Sequence, residues 1–226
     1  MKNVVILVPK NAVLGSIEGP RQVFTEANKF LASIGREPAF KVQLVGFTKE
    51  TAVCGGKYNV IADEIFEKVP KADLIIIPAL DGDMAQLIEL NKDYLPWITK
   101  QHNAGAEVAS LCVGAFLLAS TGLIDGRKCA THWLMAKEFR KMFPQVDLVE
   151  DKVITDENGI YSSGGAFSYL NLILYLIEKY VGREVAVFMS KAFQIDIERK
   201  SQSPFTIFMG QKDHEDKEVL KAQEFI

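Results

Sequence analysis

A chain of 226 residues with 48% apolar and 24% charged side chains can bury one large core, as a single domain or a domain with a short extension. A formal net charge of −3 and a pI near 5.7 argue against a broad basic footprint for nucleic acid. Cys54, Cys112 and Cys129 form an odd, widely spaced set without a CxxC or Cys/His cluster, which points away from a disulfide framework and from a zinc site. No metal and no cofactor are expected.

In chain order, MKNVVILVPK contains an apolar run too short for a signal peptide, and NVVILV (3–8) reads as a strand buried on both faces. Pro20 suits a first helical turn, with Val23, Phe24, Ala27, Phe30 and Leu31 following at helical spacing until Gly35. FKVQLVGF (40–47) and DLIIIPAL (73–80) are the next strands. Residues 84–103 follow a helical pattern that ends before Gly105. AEVASLC (106–112) is a strand, and VGAFLLAST a short helix closed by Gly122. TDENGIYSSGG (155–165) holds an Asn-Gly hairpin turn. Two helices follow, SYLNLILYLIEKYVG (168–182), apolar on most sides, and REVAVFMSKAFQ (183–194). The longest apolar stretch, YLNLILYLI, is interrupted by Asn171 and two tyrosines, so no membrane span is expected and a cytoplasmic location is. Alternating buried strands and helices predict a parallel sheet covered on both faces.

Residues 1–195 form the expected domain. Residues 196–226 are a polar extension broken by Pro204 and Gly210, and a helical pattern resumes near Val219 and Leu220. This pattern looks like the entry to a further element beyond residue 226.

ASLCVGAFLLASTG (109–122) sets Cys112 where a strand turns at once into a helix. Such a bend exposes a side chain above the sheet edge, and a helix N-terminus favours a thiolate. Gly114 allows the close turn. Two readings are open at this point, a nucleophile elbow and a small buried hydrophobe at a strand end. Cys54 and Cys129 read as structural, and His102 and His214 as surface residues.

SLCVGAFLLASTGLIDGRKCATHWLMAKEF resembles the cysteine-elbow region of the PfpI-like (class I glutamine amidotransferase-like) superfamily. Within it, the chain is similar to the N-terminal domain of AraC-type transcriptional regulators. SIEGPRQVF (16–24), DENGIYSSGGAFSYLNLILYLIEKYVG (156–182) and the tail from Asp196 match in order, so the resemblance covers almost the whole chain. It implies an α/β, flavodoxin-like three-layer sandwich, with a mostly parallel sheet and helices on both faces. It assigns Cys112 to the elbow and Glu18 to the acid directed at the sulfur, able to act as general acid or base. Gly82, in PALDG, and the Val113 amide would form an oxyanion-hole-like pair. His132, in ATHW, matches a family histidine; a core histidine bonded to backbone is the competing reading. Gly164 and Gly165 match a close backbone approach near the pocket, or a plain turn.

One departure has chemical weight. Hydrolytic relatives carry histidine after the cysteine, and isocyanide hydratases and many AraC-type relatives threonine; Val113 supplies neither base nor hydroxyl. The resemblance therefore implies a domain that binds a small nitrogen-containing metabolite, with Val113 and Gly114 at the pocket. DNA would be reached only through a helix-turn-helix domain beyond these residues, and a homodimer is expected. The alternative is a PfpI-like cysteine hydrolase or isocyanide-hydratase-like enzyme using Cys112 and Glu18.

Overall fold

The structure, a computed structural model, describes residues 1–206 and 216–224. β1 (Lys2–Val8) leads into α1 (Leu14–Ser33) and β2 (Phe40–Gly46). A hairpin of β3 (Glu50–Val53) and β4 (Tyr58–Ile61) precedes the short β5 (Glu64–Ile65) and β6 (Leu74–Ile77). Next come α2 (Met84–Asn91), α3 (Tyr94–Asn103), β7 (Glu107–Leu111) and α4 (Ala115–Ala119). β8 (Lys128–Cys129), α5 (Ala136–Met142), β9 (Asp147–Leu148), β10 (Ile154–Asp156) and β11 (Ile160–Ser163) follow. α6 (Tyr169–Val181), α7 (Arg183–Ala192) and α8 (Lys217–Glu224) complete the order.

The seven-stranded sheet runs β10-β11-β7-β6-β1-β2-β5, parallel throughout except at the β10 edge. The period of two in a strand divides its core. Val5 and Leu7 of β1, with Ile75 and Ile77 of β6, pack on the layer that holds Leu87, Ile98, Phe116 and Phe139. Val4, Ile6, Leu74 and Ile76 pack on the opposite layer, with Phe24, Leu172 and Val185. This is the expected three-layer α/β sandwich. The hairpin turn between β10 and β11 is also as expected: Asn158 and Gly159 both take positive φ, 56° and 90°, as a type I′ turn requires.

Two elements differ from expectation. The first helix begins at Leu14, so Pro20 sits inside it. No side chain caps its N-terminus; the Val13 amide instead donates to Ala79 O at 2.8 Å, and Ala12 bridges Leu80. Tertiary contacts with the loop after β6 thus start the helix where no local signal exists. The pattern over 84–103 divides into α2 and α3: Pro96, which cannot sit in a helix interior, falls in the first turn of α3, and Asn91, fully buried, is hooked to the end of β1. Its side-chain oxygen accepts from the Lys10 amide at 2.8 Å, and its Nδ2 donates to Lys10 O and Leu87 O. The helix expected near Val219 is α8, whereas Gly210 and His214 lie outside the described residues.

Candidate functional site

The carboxyl ends of β6, β7 and β11 lie side by side: Ile77 pairs with Ser110, and Leu111 with Ser163. In a doubly covered parallel sheet this edge is where ligands bind. β7 ends directly into Cys112, whose φ is 54°. A non-glycine residue in the left-handed region costs about 1–3 kcal/mol and persists only when its surroundings enforce it. Those surroundings are visible. The Cys112 amide donates to Ser163 Oγ at 3.4 Å, and its carbonyl accepts from Thr131 Oγ1 at 3.1 Å. Gly114 turns against β6 so closely that a Cβ would stand 2.6 Å from Pro78 O and 2.7 Å from Ile77 O.

Cys112 is 5% exposed. Burial pushes its pKa up to about 11, opposed only by a hydrogen bond from the Val113 amide. This corrects the expected thiolate. The bend continues as one 3-10 turn (Cys112–Gly114), and α4 spans five residues, so little macrodipole is aimed at the sulfur, while desolvation acts in full. Cys112 is a thiol at neutral pH.

Glu18 faces elsewhere. Its carboxylate holds Arg21 through two hydrogen bonds of 2.6 Å, and among the described residues it makes no hydrogen bond to Cys112. Tyr169 is electrostatically coupled to Cys112. Its hydroxyl donates to Gly15 O at 2.7 Å, and burial, with the neighbouring Cys112, pushes it up to about 12. Gly82 takes φ 132° and packs near Leu87, while the backbone that meets the elbow belongs to Ile77 and Pro78. The Ala79 amide donates to Ser16 Oγ and the Asp81 amide to Asn11 O, which anchors the 78–82 loop to the start of α1.

His132 begins a short 3-10 turn, accepting from the Leu134 amide at 3.2 Å through Nδ1; burial lowers its pKa, so it is neutral near pH 7. This is a backbone-bonded histidine, with no hydrogen bond to Cys112 among the described residues. At Gly164 the Gln202 side-chain amide lies where a Cβ would be. Gly165, at φ 71°, turns the chain toward Ser168. Sequence reasoning missed Thr131, Ser163, Tyr169 and Gln202. Thr131 and Ser163 stood next to residues already singled out, whereas Tyr169 and Gln202 carried no local signal.

A buried cysteine in left-handed backbone, at the carboxyl edge of a doubly covered parallel sheet, defines a class of α/β proteins. The DJ-1/PfpI family profile matches residues 3–179, and the chain belongs to that family. It is 25% identical over 188 residues to the HTH-type transcriptional regulator CdhR of Pseudomonas aeruginosa, covering 83% of this chain and 53% of the regulator. It is 28% identical over 142 residues to an isonitrile hydratase of Pseudomonas putida, covering 62% of this chain and 58% of that protein. The chain thus spans about half the length of the curated relatives it matches. Among solved structures, an AraC family transcriptional regulator from Pseudomonas putida aligns with a TM-score of 0.66 at 17% identity, covering 85% of this chain and 100% of that one. Drosophila melanogaster DJ-1beta aligns at 0.69 and 17% identity, covering 86% and 98%. No helix among the described residues is long and apolar enough to cross a membrane.

Proposed function

We propose that this chain is the ligand-sensing regulatory domain of an AraC-type transcriptional regulator, taking a small nitrogen-containing metabolite at the bend around Cys112. The observation that carries this reading is the state of the thiol. Burial pushes its pKa up to about 11, and neither imidazole nor carboxylate bonds to it among the described residues. A nucleophile needs a base or a depressed pKa, and this one has neither. The relatives that are HTH-type regulators support a regulatory role. Contact with DNA, in this reading, belongs to a helix-turn-helix domain outside these 226 residues, in a cytoplasmic homodimer. The 226-residue chain by itself is expected to show no sequence-specific, salt-sensitive DNA complex, since its acidic balance neutralises few phosphates.

The test is a melting-temperature screen of the 226-residue chain against amino acids and small amines. A saturable rise with one of them, lost when Val113 is replaced by Trp to fill the site, is the expected result. No shift across the panel counts against the reading. The similarity to an isonitrile hydratase favours a second reading, a lyase using Cys112 and Glu18. It requires turnover of an alkyl isonitrile that Cys112→Ala abolishes; the buried, unpaired thiol leads us to expect none.

A further inference from the structure

The segment after α7 returns to the site. Val153 N–H donates to Lys200 O at 3.2 Å, Lys152 bridges Ser201 in antiparallel register, and Gln202 N–H donates to Asp151 O at 2.8 Å. Between residues 191 and 206, Gln202 is the one buried residue, 1% exposed, and residues 203–206 are exposed. Its Nε2 donates to Thr131 O at 2.9 Å and to Lys152 O at 3.0 Å. Donation to two carbonyls establishes which end of the amide is nitrogen.

Both partners of this side chain lead to the bend. Thr131 accepts from Gln202 through its carbonyl and donates to Cys112 O through Oγ1. Gly164, whose Cβ position the amide occupies, follows Ser163, whose Oγ accepts from the Cys112 amide. The Cys112 carbonyl is therefore held by a residue that Gln202 bonds, and the Cys112 amide by the chain neighbour of the glycine that Gln202 lies against. The closure is also incomplete: Gln202 Oε1 is buried and accepts no hydrogen bond from the described residues. A buried acceptor without a donor weakens the docked state relative to a fully paired one, so a small displacement suffices to release it.

We infer that Gln202 is a latch coupling the backbone at Cys112 to the C-terminal segment 200–206. A change at Cys112 that moves its amide or carbonyl displaces Ser163 or Thr131, loosens Gln202 and frees the segment. Release of Gln202 loosens the bend in return, because coupling between two sites is reciprocal. The connection goes beyond the proposed function, since it operates whether the event at Cys112 is ligand binding or covalent modification.

The test uses the 226-residue chain, with hydrogen exchange over residues 198–206 and iodoacetamide alkylation of Cys112 resolved by mass from Cys54 and Cys129. Gly164→Ala evicts the Gln202 amide without straining its own backbone, and Gln202→Ala removes it. Each is expected to speed exchange in 198–206 and to raise the Cys112 alkylation rate about tenfold at fixed pH, the scale of losing one or two buried hydrogen bonds. Alkylating Cys112 in the unsubstituted chain is expected to free 198–206 while β1 amides stay protected. Thr131→Val keeps the carbonyl that holds Gln202, so the segment stays docked, but reduces its response to alkylation. A merely structural Gln202 would loosen the segment and leave the thiol's rate within about twofold. That result in Gln202→Ala overturns the latch, as does alkylation of Cys112 that leaves 198–206 protected or loosens the whole protein uniformly.

Discussion

At the residue scale, Cys112 combines a strained backbone with an unactivated thiol. Its alkylation rate should keep rising through pH 9 and level only near pH 11, the pKa that burial imposes. A plateau near the free-cysteine value of about 8.5 would show an activating partner that burial alone does not provide. Glu18→Gln should leave this profile in place, because the carboxylate's partner is Arg21 at 2.6 Å. A profile that moves would put Glu18 at the sulfur. The cysteine was legible because a strand pattern ran straight into it and Gly114 followed. The direction of Glu18 was not, although Arg21 three residues on, one helical turn away, was a visible competitor.

At the element scale, β6, β7 and the bend are packed backbone to backbone. Gly114→Ala should cost about 1–3 kcal/mol, since the added methyl meets two backbone carbonyl oxygens, Ile77 O at the end of β6 and Pro78 O just after it, that cannot yield cheaply. A urea midpoint unchanged from the unsubstituted protein would refute this contact. Asn91→Ala should cost a similar amount, about 1–3 kcal/mol, because it strands the Lys10 amide and removes the hook between α2 and β1. The division of residues 84–103 into two helices was legible in Pro96, which cannot sit in a helix interior and falls in the first turn of α3. The hook that fixes Asn91 carried no local signal, because it is a hydrogen bond to a residue 81 positions away. Pro20 misled for the same reason, since the start of α1 is set by Ala79 and Leu80.

For the whole molecule, two buried thiols make stability depend on alkaline pH. Burial pushes Cys112 up to about 11 and Cys129 up to about 12, above the ordinary thiol value near 8.5. Between about pH 9 and 11 the unfolded chain has released protons that the folded one retains, so stability falls as pH rises. Melting temperatures across that window should decline. Cys112→Ser, which removes one titrating group, should recover on the order of 2 kcal/mol of the loss. An unchanged decline in that variant would mean that the Cys112 thiol is not desolvated in solution.

The sequence by itself determined the class of fold and the place of the cysteine. Both follow from local periodicity: apolar runs that only a doubly covered sheet can bury, and a strand that meets a glycine-containing bend. The tertiary structure alone decided the chemistry of the site. Whether Cys112 is thiol or thiolate depends on how completely other layers desolvate it, and whether Glu18 reaches it depends on competition from Arg21. That Gln202 lies beside the bend depends on a strap crossing from the far end of the chain. The desolvation and the strap are set by groups distant in sequence that no local pattern encodes, whereas the Glu18–Arg21 pair is local and only the structure shows that it forms.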